Sequence, residues 1–543
     1  MYVLGICSGF KLGHHDSAAA LLKDGEIIAA AEEERFRREK HARSYLANRS
    51  IKYCLQEAGI TMKEVDFIAF PLCSYKYIKE RVREFILFHF GYCPEIKLVD
   101  HHRAHAASAY RFSKFDNSMI LTTDYSGDSK TTVLHSANGD EMREIKNFNR
   151  GNSLGLYFGM ITQFLGFQAT NDEYKVMGLS SYGNDNFDCF DEILHIDEEE
   201  GTYKLNPEMV QVNVQPELYS TDISTRQERL FSDKMAKLLG KPRLYDEPIT
   251  QWHMDLAASA QKQLEKASKV LVDQMHKDSQ STNLCLAGGV ALNCVMNFEL
   301  LQLPYVDHIF IQPAAGDSGC CLGAAAEVMH REAGIGKIKF NHANLGPQHT
   351  NEEIKETLEL FKIKYEYTET PEKDAAKEIS EGHIVAWFQG RMEYGPRALG
   401  NRSILADPRD AEMKNKINKL VKFREDFRPF APSVLVEDYK EYFEVSQPTP
   451  FMTLTSRSLK PDVVPAVTHI DGTSRVQTVS QETNPTYHKL ISEFKKLTGV
   501  PVVLNTSLNV MSEPIVCSPR DAVRNFFGTG MDTLYLGNYI VRK

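Results

Sequence analysis

The ten cysteines of this 543-residue sequence include no CxxC pair, so spacing offers neither a redox dithiol nor a zinc ribbon. Cys320 adjoins Cys321, and the pattern suits a reduced, cytoplasmic chain better than a disulfide framework. The opening MYVLGICSGF has no basic segment ahead of an apolar core, so no secretion signal is expected. No apolar run has bilayer length, which argues against a membrane partner. Positive charge is also short: the net charge is −10, which gives no general attraction to a phosphate backbone and disfavours nucleic acid. Neither a P-loop nor a GxGxxG fingerprint is present. Tryptophan is limited to Trp252 and Trp387, which read as packing residues. What remains is ordinary globular composition, 42% hydrophobic and 25% charged, at a length that predicts two or more domains.

The first third alternates strand and helix. Met1–Cys7 is an apolar strand, Ser17–Leu22 and Glu26–Ala31 flank a Lys23-Asp24-Gly25 turn, and Val65–Pro71 reads as a buried strand. Ser44–Gly59 and Tyr77–Gly91 have helical spacing. A similar opening recurs: strand Ser118–Thr123, polar loop Asp124–Ser129, strand Lys130–His135. The recurrence predicts a duplicated α/β unit. Asn283–Ala287 is a third strand that turns at Gly288-Gly289 into a helical-looking Val290–Asn297. Composition shifts at the aperiodic Asn341–Thr350, where a domain boundary is expected; beyond it His383–Phe388 and Pro501–Leu504 are strands of a second α/β domain.

The most informative short motif is His101-His102-Arg103-Ala104-His105, between the strand Ile96–Val99 and an Ala-rich helix reaching Phe112. Positions i and i+4 share a helical face, so His101 and His105 can address one metal ion or can simply cap and pack the helix. Asp124 and Asp317, each ending a strand in a Gly-containing loop, are candidate further ligands. Two imidazoles and two carboxylates suit Fe(II), Mn(II) or Zn(II), with no thiolate to select zinc.

Glycine loops at Gly127, Gly288-Gly289 and Gly316–Gly319 could bring backbone N–H groups to phosphates; each alone is also ordinary turn chemistry. Together with Asp124 and Asp317 they predict a nucleotide cleft between two related lobes. In the C-terminal part, residues 391–428 hold ten Lys/Arg against six Asp/Glu. Arg397 and Arg428 stand beside prolines and aromatics that stiffen the backbone, which suits oxyanion binding. Lys414, Lys416 and Lys419 read as a solvated face. Asn505-Thr506-Ser507, at the tip of a buried strand, either line a ligand crevice or cap a helix. Glu32–His41 (EEERFRREKH) reads as solvated charge.

These segments, with others, resemble the O-carbamoyltransferases of nodulation-factor and antibiotic biosynthesis. The likeness is carried by HHDSAAALLKDGEI (14–27), EEERFRREKH (32–41), HHRAHAASAY (101–110), EYKVMGLSSYG (173–183), LAGGVALNCVMN (286–297) and GDSGCCLGAA (316–325). It continues through GRMEYGPRALGNRSILADPR (390–409), KFREDFRPFAPSV (422–434), HIDGTSRVQTV (469–479) and NTSLNVMSEPIV (505–516). Leu508 departs from the expected phenylalanine, a conservative apolar change. The resemblance implies an ASKHA-type carbamoyl-transfer domain of two ribonuclease-H-like lobes at 1–342, and a YrdC-like, adenylate-forming α/β domain at 343–543. It implies that carbamoyl phosphate and ATP give carbamoyl-adenylate in the C-terminal domain. The carbamoyl group then passes to a hydroxyl of a small-molecule acceptor, a sugar or natural product of secondary metabolism, in the N-terminal domain. By matching motifs, Arg397, Lys422, Arg428, Arg475, Asn505 and Ser507 would hold carbamoyl and phosphate groups. His101, His105, Asp124 and Asp317 would bind one divalent metal, Fe(II) first and Mn(II) or Zn(II) otherwise, with Mg(II) accompanying ATP. Gly127, Lys175, Gly288, Gly289, Asn293 and Asp317 would contact nucleotide. His15, rather than the adjoining His14, would be the base, with its ring oriented through Nδ1 by Asp16.

Other readings are an ASKHA-type sugar kinase or nucleotide hydrolase, a tRNA-threonylcarbamoylation enzyme, and a non-enzymatic nucleotide-binding module. The basic C-terminal segment argues against the first and the acidic charge against the second. The third would have lost site residues that are all present. A monomer or homodimer is expected.

Overall fold

The computed structural model describes residues 1–10, 15–211 and 229–543. The described chain falls into two compact units, one of residues 1–114 with 311–543 and the other of residues 115–310. The family-based boundary at 342/343 follows a different division, because the first lobe and the C-terminal sheet share a unit.

The first sheet contains β1 (Tyr2–Cys7), β2 (Ala18–Lys23), β3 (Glu26–Glu32), β4 (Phe67–Phe70) and β5 (Glu95–Leu98), ordered β3-β2-β1-β4-β5. β1, β2 and β3 are antiparallel neighbours, and β4 and β5 join in parallel. Asp24 and Gly25 both have positive φ, the backbone a two-residue hairpin with right-handed strand twist requires. Alternation along β1 sorts its faces. Leu4 and Ile6 enter an apolar core with Ile51, Cys54 and Phe70. Gly5 faces the other way, where an added Cβ would lie 1.8 Å from the Cys321 carbonyl oxygen. The helix Cys320–Ala333 therefore lies backbone-close on β1.

In the second unit, β6 (Asn117–Gly127), β7 (Lys130–Asn138) and β8 (Glu141–Asn149) are followed by a hairpin of β9 (Leu194–Asp197) and β10 (Thr202–Leu205). β11 (Asn283–Ala287) and β12 (His308–Ile311) complete a sheet ordered β12-β11-β6-β7-β8. Here too three consecutive antiparallel strands are extended in parallel from the first of them, β11 running parallel to β6. The expected duplication is thus present as strand order. Two local expectations change. The polar run after Thr123 stays within β6 as a bulge, with register lost between Thr123 and Gly127. The segment after Gly289 is a short 3₁₀ turn, and the helix begins only at Cys294, where the Asn293 side chain accepts from the Met296 N–H and caps it.

The C-terminal sheet has eight strands. Across it lie Glu366–Tyr367, Tyr539–Arg542, Thr533–Leu536, Val385–Phe388, Arg402–Ala406, Val502–Ser507, Ala431–Leu435 and Gln477–Val479. Trp387 is fully buried, as its reading as a packing residue requires. The molecule is α/β throughout. No helix among the described residues is long and apolar enough to cross a membrane.

Candidate active site

The helix His101–Tyr110 starts directly after β5 because Asp100 caps it, its carboxylate accepting from the Arg103 N–H at 3.0 Å. One helical turn then places the His101 and His105 Nε2 atoms 3.1 Å apart, with the rings nearly perpendicular. Asp317 Oδ1 stands 3.7 Å from each of them. Donors about 2.1 Å from one ion lie about 3.0 Å apart at a right angle and about 3.6 Å apart at 120°. The spacing of these three donors fits a shared divalent cation, and both rings are buried. The first unit also brings a thiol near: His101, His105 and Cys320 hold donor atoms within 4.8 Å of one another.

His15 and Asp16 form the contact expected of them, Nδ1 donating to Asp16 Oδ2 at 2.7 Å. The other carboxylate oxygen, Oδ1, accepts from His41 Nδ1 at 2.8 Å. Asp16 and His41 both have positive φ, 60° and 65°, and Asp16 N–H donates to the His41 carbonyl at 2.7 Å. Backbone of this kind outside glycine persists where its surroundings hold it. Burial alone would lower the pKa of His15, but the charge and hydrogen bond of Asp16 outweigh it and raise the value to about 9. Burial alone would raise Asp16, and His41 and His15 instead hold it well below the usual carboxylate range. His14, the rejected alternative, lies outside the described residues.

His41 belongs to the run expected to be solvated, and there the structure corrects the sequence. Glu32, Glu33 and Arg35 are buried. Glu32 Oε1 accepts from the Gly395 N–H at 2.7 Å, and Arg35 Nη2 donates to the Gly395 carbonyl at 2.8 Å. Glu33 is consumed by the N–H groups of Arg49 and Ser50 and by Arg37. Beside the ion pairs within the run, Arg35 with Glu32 and Glu34 and Arg37 with Glu33, these charges meet backbone groups distant in sequence, which a local pattern does not display.

In the C-terminal sheet, Lys422 ends a short π-turn and is buried. Its Nζ donates to Asn509 Oδ1 at 2.8 Å, to the Asn509 carbonyl at 3.0 Å, and to the Ser507 carbonyl. Burial, then the nearby Arg424 and Arg428 cations, push its pKa well below that of an ordinary lysine. Asn505 Nδ2 donates to the Ala398 carbonyl at 3.2 Å, and to Ser433 Oγ and Gln477 Oε1, each at 3.0 Å. Gln477 Nε2 donates to the Leu399 carbonyl at 2.8 Å. The loop carrying Arg397 is thereby tied to Asn505 and to the strand that follows Arg475. Arg428 is half-buried, 3.7 Å from Glu425. Ser507 is a strand residue rather than a helix cap.

The second unit holds Asp124, Gly127, Lys175, Gly288, Gly289 and Asn293. Gly289 N–H donates to Asp124 Oδ1 at 3.3 Å. Gly288 has φ +95°, and a Cβ there would meet the Thr123 carbonyl oxygen at 2.1 Å, so only glycine fits. Lys175 is buried, 3.3 Å from Asp172. Asn293 exchanges amide hydrogen bonds with Gln261 at 2.8 and 3.1 Å. Sequence spacing did not single out His41. Its only advance signal was position, closing a dense charge run.

The carbamoyltransferase N-terminus family model matches residues 5–89 and 74–326, and the carbamoyltransferase C-terminus model matches residues 376–543. Nodulation protein NolNO of Sinorhizobium fredii is 39% identical, over 100% of this chain and 83% of that protein. The uncharacterized protein sll1178 of Synechocystis sp. is 39% identical over 98% of this chain and 96% of its own length. A 3'-hydroxymethylcephem-O-carbamoyltransferase of Streptomyces clavuligerus is 35% identical over 45% of this chain and 46% of that enzyme. The chain belongs to the carbamoyltransferase family and is an enzyme.

Proposed function

We propose that the protein is an ATP-dependent O-carbamoyltransferase of the cytoplasm, active on a small-molecule hydroxyl in secondary metabolism. The observation that carries the reading is Lys422, a buried amino group held by carbonyl and amide oxygens, whose charged form is disfavoured by burial and by Arg424 and Arg428 and would be restored by a bound anion. A cation in that setting gains most from a bound oxyanion. Carbamoyl phosphate and ATP, with its Mg(II), would meet Arg397, Lys422, Arg428, Arg475, Asn505 and Ser507 in the YrdC-like part (343–543). Water would release phosphate from carbamoyl phosphate and leave carbamate, whose oxygen would attack the α-phosphorus of ATP to give carbamoyl-adenylate as pyrophosphate departs. That mixed anhydride is open to hydrolysis and needs shielding from water until transfer.

In the ASKHA-type part (1–342), His15 Nε2 would take the proton of the acceptor hydroxyl as its oxygen attacks the carbamoyl carbon and AMP departs. Nδ1 is already committed to Asp16, which fixes the ring. His101, His105, Asp317 and Asp124 would hold the divalent metal, Fe(II) or alternatively Mn(II) or Zn(II). Such an ion screens phosphate charge and polarises the leaving group. Gly127, Lys175, Gly288, Gly289 and Asn293 would contact the nucleotide.

The test is mass spectrometry of products after incubation with ATP, carbamoyl phosphate and a panel of alcohols. A gain of one carbamoyl unit on an alcohol is expected, and Arg397→Ala should lose pyrophosphate release. Transfer of the γ-phosphate instead would make the protein a kinase and end this reading.

A further inference from the structure

We propose that His41 is a positioning residue for the acceptor base. It takes up one oxygen of Asp16, so that the other oxygen is fixed on His15 and brings less of the carboxylate charge to it. The inference rests on the reading of His15 as the base and gives a role to a residue to which the motifs assigned none.

Asp16 stands between two imidazoles. Its Oδ2 accepts from His15 Nδ1 at 2.7 Å, and its Oδ1 accepts from His41 Nδ1 at 2.8 Å. The two rings meet edge to face with centroids 6.0 Å apart. A carboxylate bonded at one oxygen can turn about its terminal torsion, which is broad and roughly two-fold. Bonded at both oxygens, it keeps one orientation. Each ring spends its Nδ1 proton on the same group, and Nε2 of neutral His15 is left as the acceptor.

His41 is aimed by its own backbone. Its N–H donates to Glu34 Oε2 at 2.6 Å, and its carbonyl accepts from the Asp16 N–H at 2.7 Å. Glu34 in turn pairs with the buried Arg35 at 3.0 Å, which reaches the Gly395 carbonyl. The φ of 65° at His41 lies in the left-handed region, where Asn, Asp and His are enriched over other residues with a side chain. With 22% of its side chain exposed, the ring contributes little packing. What the strained backbone secures is the contact with Asp16.

His41, together with His15, holds the Asp16 carboxylate well below its usual range. Removing the His41 donor leaves the same negative charge with one partner, and so tightens its hold on the His15 proton. The other charges that face His15 are Asp317 and Arg43, which stay in place in every variant below.

The experiment treats the full-length protein at about pH 7.5 with diethyl pyrocarbonate, which acylates neutral imidazole. Peptide mass spectrometry follows His15 at initial rate, with the exposed His195 as internal reference. Below the His15 midpoint, its neutral fraction falls tenfold for each unit the pKa rises. In His41→Ala, His15 should therefore react about tenfold more slowly, a rise of about one unit. His41→Asn keeps an N–H near the place of Nδ1 and tolerates left-handed backbone, and should react at the wild-type rate. With Asp16→Asn already in place, His41→Ala should change nothing. A residue that only stapled the loop would, on removal, expose His15 and speed its reaction. An unchanged or faster rate in His41→Ala thus overturns the proposal. Circular dichroism checks folding, and if His41→Ala does not fold, His41→Leu removes the same donor and is read the same way. A His15→Ala enzyme that still carbamoylates the alcohol found in the product panel at the wild-type rate ends the reading of His15 as the base, whatever the acylation rates show of His41.

Discussion

The two five-stranded sheets share one strand order and differ in what joins their first two strands. Between β1 and β2 the chain spends residues 8–17 and carries His15 and Asp16. Between β6 and β7 it spends two residues, Asp128 and Ser129, both at positive φ, and closes a tight hairpin. In the first copy the long connection brings His15 and Asp16 to His41, which follows β3. In the second, Asp124 lies in the bulged part of β6, where its carboxylate accepts from the Gly289 N–H. The same strand order occurs twice, and only the longer first connection has room to carry a histidine and a carboxylate, while the second is a tight turn.

The largest effect that would separate the copies is His15→Ala. Adenylate formation should persist while carbamoyl transfer to the hydroxyl slows by about two to four orders of magnitude, the usual worth of a general base. Separate assays of pyrophosphate and carbamoylated product check this, and an unchanged transfer rate would remove the base from the first copy.

Next comes a glycine in each copy. Gly288→Ala puts a methyl group into the Thr123 carbonyl oxygen at φ +95°, and should lower stability by about 2–5 kcal/mol from strained backbone and overpacking together. Gly25→Ala, at φ +86°, has the Ile335 side chain nearest at 3.2 Å and the Lys337 carbonyl oxygen at an ordinary 3.8 Å, and should cost about 1–2 kcal/mol. Chemical denaturation of the two variants reads the difference, and equal losses would mean that the Gly288 turn is no tighter than an ordinary hairpin.

The smallest effect is a displacement in pH. The base must be neutral to accept a proton, and Asp16 raises His15 to about 9, so transfer should climb with pH and level off near that value. Asp16→Asn removes the charge that raises the pKa and leaves burial, which lowers it. The midpoint should therefore move down by about two pH units. A pH–rate profile of the transfer step alone is the measurement.

The repeated strand–loop–strand pattern made the duplication legible because alternation and turn residues are local signals. The histidine pair was legible for the same reason, since i and i+4 share a face on any helix. Glu32–His41 was not. Its charges look solvated until Gly395, Ser50 and Asp16 arrive from elsewhere in the chain, and nothing in ten consecutive residues encodes those partners. Asn293 caps a helix and pairs with Gln261, partners that its position in the sequence does not display.

The grip of Glu32 and Arg35 on the single residue Gly395 bears on how this gene could be divided. A clone stopped at residue 342 would remove the peptide group that both charged side chains hold, and also the Pro514 and Ile515 carbonyls that receive Arg38 at 2.7 and 2.6 Å. Each hydrogen bond to a charged group lost in this way costs about 1.5–3 kcal/mol. The severed N-terminal piece would expose a sticky wound where an intact protein has a seam. Workers who want to test the two proposed half-reactions apart will do better to silence one by substitution than to cut the chain.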